Sequence, residues 1–210
     1  MSIIPYFSNG LTETYDVLIV FDAPVIRKET LRDIDLHIQS GKGAIIMLDP
    51  FQRMNSANAA LSIKPSEDGQ INSIDDLLKS YGLHFSNNQV VGDFKSAATV
   101  ASATGRNFSY PYWLQIKDKN ISREHNVSDK LKELLFAEAG FLKTNKKNIK
   151  TQPIVLTSNE TNLLSKRDVR EKSTETLATE FQITNGIRKV IALHLTGQLV
   201  SPFIQRKSEI

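Results

Sequence analysis

Two aspartates stand where an acid–base pair or a metal ion could be held. Asp22 directly follows the apolar run Val17–Phe21, and Asp49 directly follows the apolar run Ala44–Leu48. Two carboxylates that meet at neighbouring strand ends can bind a divalent ion or transfer protons. Each can equally accept backbone N–H groups, because the loops Asp22-Ala23-Pro24 and Asp49-Pro50-Phe51 have the composition of turns. No histidine lies in either loop, so we favour the turn-capping role.

Several other catalytic arrangements are excluded or unsupported. The chain has no cysteine, which excludes disulfides, zinc–thiolate sites and cysteine nucleophiles. Its four histidines are scattered without metal-ligand spacing, and no G-x-S-x-G serine elbow is present. Gly41-Lys42-Gly43 precedes a strand rather than a helix, so it is a helix stop and not a phosphate-binding loop. We therefore predict no enzyme activity, no metal and no cofactor.

The segment Tyr110-Pro111-Tyr112-Trp113 is the best candidate for surface recognition. Aromatic side chains with polar tips suit stacking on a sugar or contact with a protein partner. Strand alternation sends Tyr112 and Trp113 to opposite faces, so we expect at least one of the aromatic residues to pack in the core.

A β-α-β unit must position the two aspartates. The run Val17–Phe21 is too short for a globular helix and rich in β-branched residues, which predicts a strand. Residues 27–40 carry one apolar stripe and otherwise charged or polar residues, which predicts a helix that ends before Gly41. The run Ala44–Leu48 predicts a second strand. Because both strands are apolar at successive positions, we expect a parallel sheet covered on both faces, with ligands bound beyond its carboxyl ends.

The rest of the chain gives shorter patterns. We predict long loops at residues 51–72 and 158–179, and helices that begin after Ser73 and Ser128 and end at Gly82 and Gly140. The predicted strands lie at 83–85, 90–91, 114–116, 151–157 and 188–196. Together these elements predict an α/β three-layer sandwich with a mainly parallel sheet, flavodoxin-like or class I glutamine-amidotransferase-like. Its core strands would be 17–21, 44–48, 154–157 and 190–195. We expect one domain over residues 1–210, with an insertion or small subdomain around residues 85–125.

Charge and hydropathy limit the partners. The net charge is only +3, and the lysines at positions 143, 146, 147 and 150 lack the interleaved aromatic residues of a single-strand binder, so no nucleic acid is predicted. No apolar run approaches the ~18–20 residues of a membrane span, and the amino terminus lacks the pattern of a signal peptide.

Several motifs occur in an order that is typical of a known family. They are DVLIV, AIIMLDPF, DDLLKSYGLHF, QVVGD, YPYW and KVIALHLTGQLVSPF, and they cover residues from about 16 to 203. In this order the sequence resembles the auxiliary component of bacterial ABC transport systems, which includes the GldG type of gliding motility. Lys42 stands where that family often has a second glycine, a change that a helix-to-strand turn tolerates.

The resemblance implies a non-catalytic domain that binds a partner protein or a glycan. It implies ABC permease and ATPase subunits as partners. It also implies a location on the periplasmic side of the bacterial inner membrane, with anchoring segments outside this sequence.

One alternative is a hydrolase or transferase that uses Asp22 and Asp49, and another is a degenerate amidotransferase-like domain that binds carbohydrate. The candidate binding residues are Asp22, Pro24, Asp49, Phe51, Tyr110, Tyr112 and Trp113.

Overall fold

A computed structural model of the chain describes residues 3–4, 8–11, 13–21, 26–51, 71, 73–145, 149–184 and 186–203. Three predicted features lie wholly or mainly outside these residues: the loop at Asp22 and Pro24, the long loop after Phe51, and the central lysines of the 143–150 cluster. The chain divides into two compact units. The first contains Met1–His84, Thr144–Ile149 and Gly197–Ile210, and the second contains Phe85–Lys143 and Lys150–Thr196. The predicted single domain with an insertion around residues 85–125 stays a prediction.

The first unit contains the predicted β-α-β unit. Strand β1 (Val17–Phe21) pairs in parallel with β2 (Gly43–Met47), and helix α1 (Lys28–Gln39) connects them. Gly41 has a φ of +79°, which confirms the predicted left-handed helix end. The turn into β2 is held by a hydrogen bond of 2.9 Å between His37 Nε2 and the Gly43 carbonyl. Sequence pattern and structure therefore agree on this unit.

Helix α2 (Ile74–Tyr81) is also as predicted. The Ser73 hydroxyl accepts the Asp76 N–H at 3.1 Å, as an N-cap does, and donates to the Asp76 carboxylate at 2.8 Å. Gly82 ends the helix with a φ of +95°. Helix α1 lies against both α2 and β2.

The second unit is built mainly from strands in small sheets. Strand β3 (Leu83–Phe85) has two of its three residues in the first unit. The other strands are β4 (Gln89–Asp93), β5 (Ala97–Ala101), β6 (Asn107–Lys117), β7 (Glu133–Ala137), β8 (Leu142–Thr144), β9 (Ile149–Leu156), β10 (Thr161–Ser165) and β11 (Val190–Gly197). Two short helices, α3 (Lys166–Glu171) and α4 (Thr174–Thr179), follow β10. Within the second unit the sheet orders are β5-β6-β7, β10-β4 and β8-β11-β9. A core of Val91, Leu114, Ile116, Ile121, Phe141 and Val155 lies within this unit.

Strand β6 accommodates a proline in mid-strand through a β-bulge. The register with β5 jumps from Ala98 opposite Tyr110 to Ala97 opposite Leu114, so Pro111 lies in the stretch that β5 does not pair. Since proline has no N–H to donate, a break in the ladder is where a strand can hold it. The bulge thereby sets the position of the aromatic side chains that follow Pro111.

The predicted three-layer sandwich with a mainly parallel sheet is wrong. Among the described strand pairs, β1–β2 alone is parallel, and the other sheets are small and mostly antiparallel. Strands β9 and β11, which were assigned to the same parallel core, lie together in a different sheet. Successive apolar residues in a strand suggested a sheet covered on both faces, whereas here one face of β1–β2 is exposed. The fold is therefore neither flavodoxin-like nor amidotransferase-like.

Two local predictions are also wrong. The segment predicted as a helix after Ser128 contains β7, in which Leu134 and Phe136 are half-buried while Leu135 is exposed. Leu134 pairs with Ile116 and Phe136 pairs with Leu114, which places both against the core. Burial against β6 therefore favours a strand, although the sequence pattern also fits a helix. The loop predicted at 158–179 holds β10, α3 and α4, whose N-caps are Ser165 and Ser173.

Candidate binding site

A continuous apolar surface lies on one side of the pair β1–β2. Its side chains are between 45% and 59% exposed, although all are large and apolar. The parallel register places Ile19 opposite Ile45 and Phe21 opposite Met47, so the exposed residues of both strands share one side of the sheet. The other side of β1 carries the buried Leu18 and Val20. We call this surface the apolar face; it consists of Val17, Ile19, Phe21, Ile45 and Met47.

The loop after β2 is a hydrogen-bonded turn. Phe51 donates its backbone N–H to the Asp49 carboxylate at 2.8 Å, which is the turn-capping role favoured from the sequence. Phe51 is half-buried. Asp22 and Pro24 lie outside the described residues. The hydrolase or transferase alternative depends on the pair Asp22 and Asp49 and gains no support from the turn.

The aromatic segment is divided between core and surface. Tyr110 and Tyr112 are both 1% exposed, whereas Trp113 is 37% exposed, which confirms that at least one of the three packs in the core. Tyr112 contacts Phe181 edge-on with ring centroids 5.8 Å apart. Burial, together with the neighbouring Tyr110, raises the pKa of Tyr112 to about 12. Among these three residues, Trp113 alone offers a large surface to a ligand.

Two histidines that are distant in sequence meet in the second unit. His125 Nε2 lies 2.9 Å from His194 Nδ1, and His125 Nδ1 accepts the Val127 N–H at 3.1 Å. His194 lies on β11 with its side chain exposed and hydrogen-bonded to His125. In the described part of the chain, no three His, Cys, Asp or Glu side chains come together as a metal site.

A polar pocket in the second unit was not predicted. Its volume is about 320 Å³, and we call it the basic pocket; it is lined by Lys95, Lys119, Asn120, Ser158, Asn159 and Arg188. Lys95 lies between β4 and β5, Ser158 and Asn159 follow β9, and Arg188 precedes β11. These residues are separated by up to ninety-odd positions, so no sequence spacing could join them. The only local indication of the basic pocket is that its residues lie in polar segments next to strand ends.

The fully buried Asp93 organises one wall of the basic pocket. Its carboxylate accepts the Ser158 N–H at 2.6 Å and hydroxyl hydrogen bonds from Ser158 at 2.5 Å and Ser96 at 2.8 Å. The Lys95 N–H is a fourth donor at 3.1 Å. A carboxylate held by this many donors is well compensated for its burial. The turn after β4 and the loop after β9 are thus fixed to one another.

No helix in the described portion of the chain is long and apolar enough to cross a membrane. A family model described as an ABC-type uncharacterized transport system matches residues 2–209. Comparison with curated proteins and with solved structures gives no significant match.

Proposed function

The chain belongs to the family described as an ABC-type uncharacterized transport system, and from this premise we propose that it is a non-catalytic, extracytoplasmic auxiliary domain that binds another protein of such a system. The observation that carries the proposal is the apolar face. We propose the permease as the direct partner, because on the periplasmic side of the inner membrane the permease is accessible and the ATPase is reached only through it. A GldG-type role in gliding motility is one form of this proposal.

The composition of the apolar face favours a protein as its occupant. Five large apolar side chains on two adjacent strands form the patch, and none of these side chains carries a charged or hydrogen-bonding group. Contiguous exposed apolar patches on soluble domains mark protein interfaces, where their burial contributes roughly 25 cal/mol per Å². A glycan would need hydroxyl partners, which this surface does not offer. A protein with a complementary apolar surface matches it best.

A site-specific cross-link would test the proposal directly. A photo-activatable amino acid replaces Ile19 in the full-length protein in its native host, and cross-linked products are identified by mass spectrometry. The matched control carries the same group at Leu135, which is 61% exposed but lies on β7 of the other unit. We expect Ile19 to cross-link to the permease and Leu135 not to do so. Equal yields from both positions would contradict the proposal.

A substitution pair tests whether the apolar face is needed for binding. Ile19→Lys combined with Ile45→Lys places charges on side chains that are already exposed, so the domain should keep its circular dichroism spectrum and unfolding midpoint. We expect co-purification with the permease to fall at least about tenfold, because buried lysines at the interface would lack partners. Leu135→Lys is the control. Unchanged co-purification of the folded double variant would exclude the apolar face as the interface.

Glycan binding is a second candidate, and the exposed Trp113 favours it. The Tyr110 and Trp113 rings lie 6.4 Å apart, so the indole is supported by an aromatic neighbour while part of its surface stays open. Because Trp113 is the chain's only tryptophan, its fluorescence reports contact at this site alone. Titration with cell-wall oligosaccharides should quench it if glycans stack there. Trp113→Ala tests the same site, whereas Tyr112→Ala would remove a core residue.

A further inference from the structure

Every residue that lines the basic pocket has a polar side chain. Three side chains are cationic, two are amides and one is a hydroxyl. A lipid or an apolar metabolite would leave the remaining donors of Lys119 and Arg188 without hydrogen-bond partners, which is costly. The volume of about 320 Å³ lies at the lower end of the range for small-molecule pockets, enough for a ligand the size of one sugar ring. The lining therefore suits a small, polar and negatively charged ligand.

Arg188 is fixed in place before any ligand arrives. Its Nε donates to the Thr157 carbonyl at 2.8 Å, and its Nη2 donates to the Asn120 side-chain oxygen at 3.1 Å. Asn120 is itself buried. A guanidinium that is held on one edge presents its remaining N–H groups in a set direction, so little side-chain freedom is lost when an anion binds.

The cations of the basic pocket outnumber their counter-charges. Lys95 pairs with Glu160 at 2.5 Å. Within the described residues, no carboxylate lies within 4 Å of the charged atoms of Lys119 or Arg188. The neighbouring Asp118 is engaged by Arg123, and the buried Asp93 is already satisfied by four donors. Among the described residues, the positive charges of Lys119 and Arg188 thus have no carboxylate partner.

We propose that the basic pocket binds the phosphate group of a phosphorylated sugar. Two uncompensated cations match the charge of a phosphomonoester, which is close to −2 at neutral pH. Arg188 supplies planar N–H donors for the phosphate oxygens and Lys119 supplies a mobile charge. Asn159, which is exposed, remains for a sugar hydroxyl. This site goes beyond the proposed function, because it depends neither on the apolar face nor on a protein partner.

Titration of the whole chain tests the proposal. We would record amide NMR spectra with glucose 1-phosphate, inorganic phosphate, glucose and glucuronate. We expect glucose 1-phosphate to shift the amides around positions 95, 119, 158 and 188, inorganic phosphate to shift the same amides at higher concentration, and glucose to shift none. Glucuronate that binds as tightly as glucose 1-phosphate would overturn the assignment to phosphate. Shifts confined to other residues would overturn the site.

Substitutions separate the basic pocket from general surface charge. Lys119→Gln should weaken glucose 1-phosphate binding about tenfold, the effect of losing one charge-assisted contact. Arg188→Lys should also weaken it, because lysine cannot reproduce the planar donor set. Lys132→Gln removes the same charge from an exposed lysine that does not line the pocket, so it should leave binding unchanged. If Lys119→Gln and Lys132→Gln bind alike, the proposal is wrong even if Arg188→Lys destabilises the fold.

Discussion

At the scale of single residues, the first unit is notable for a buried carboxylate held by hydroxyl groups. Asp35 on α1 is fully buried and accepts hydrogen bonds from Tyr81 and Ser201, each at 2.5 Å. Within the described chain, no lysine or arginine lies within 4 Å of it, so hydroxyl donors take the place of a counter-ion. Burial, followed by the bond to Asp35, raises the pKa of Tyr81 far above its ordinary value. The three residues stabilise one another.

Removing the Tyr81 hydroxyl should be costly. We expect Tyr81→Phe to lower the free energy of unfolding by about 1.5–3 kcal/mol, as is typical for a hydrogen bond to a charged group. Tyr112→Phe is the matched control, because that tyrosine is equally buried but its hydroxyl has a 3.5 Å contact with Asn162. Its cost should stay below about 1 kcal/mol. Urea unfolding of both variants gives the comparison, and equal losses would contradict this account of Asp35.

Alkaline pH should destabilise the fold through the same tyrosines. An unfolded tyrosine releases its proton near pH 10, whereas folded Tyr112 keeps its proton up to a pKa of about 12. Stability should therefore be complete below pH 10 and decline between pH 10 and 12, because only the unfolded chain gains from ionisation there. Tyr112→Phe should make the decline shallower by at most about 1.4 kcal/mol per pH unit. Identical pH slopes of the urea midpoint in both proteins would disprove this.

At the scale of elements, the sequence identified what local chemistry determines. The turn and cap signals at Ser73, Gly41 and Gly82 appear in the structure as predicted. Ser165 and Ser173 cap their helices in the way Ser73 does. The Ser165 hydroxyl accepts the Asp168 N–H at 3.1 Å, and the Ser173 hydroxyl accepts the Thr176 N–H at 3.2 Å. They were missed because helices α3 and α4 are only six residues long and show no period.

Sheet pairing could not be read from the same patterns. A run such as Val17–Phe21 has the same composition whether both faces are covered or one is exposed, so the local pattern does not distinguish a central strand from a two-stranded sheet. Likewise, the sequence pattern of Leu134, Leu135 and Phe136 fits one side of a helix, and only their pairing with β6 shows that they form a strand. The basic pocket was missed for a related reason, since only the fold brings Lys119 close to Arg188.

Gly140 marks a close approach between elements that should not tolerate a side chain. A Cβ there would lie 2.6 Å from both the Ser86 carbonyl oxygen and a ring carbon of Phe85. The Ser86 backbone cannot move freely, because its N–H donates to the Phe141 carbonyl at 2.9 Å. We expect Gly140→Ala to cost about 1–3 kcal/mol of unfolding free energy.

Gly43→Ala is the control for that prediction. Its Cβ would meet Val17 at 3.6 Å, an ordinary contact, and it lies in a strand where alanine is the better residue. We expect a neutral effect or a gain of up to about 1 kcal/mol. Thermal unfolding of the two variants measures the difference, and a Gly140→Ala protein as stable as wild type would show that the segment around Ser86 can shift.

At the scale of the whole molecule, each candidate feature belongs to one unit. The apolar face and the Asp35 hydrogen bonds lie in the first unit, and the basic pocket, Trp113 and the Val91 core cluster lie in the second. The family match spans both units, from residue 2 to residue 209. The proposed contact with a transport protein and the proposed phosphate site can therefore be tested separately.

The second unit should fold by itself. A chain of residues 83–197 keeps β3 and β11 complete and contains every residue of the core cluster around Leu114. Its length is within the range in which one hydrophobic core supports a domain. We expect dispersed amide resonances and a single cooperative urea transition. Narrow dispersion without a transition would show that residues outside 83–197 are required for folding.

The exposure of Ile19, Phe21 and Ile45 has a consequence for how sequence variation in this protein should be interpreted. A screen of purified variants scored by foldedness would record polar replacements on the apolar face as harmless, or as improving solubility. A screen scored by growth of cells that depend on the transport system would record the same replacements as damaging. Positions where the two scores diverge would then outline the contact surface without a structure of the complex, and the divergence should be confined to alternate residues along β1 and β2.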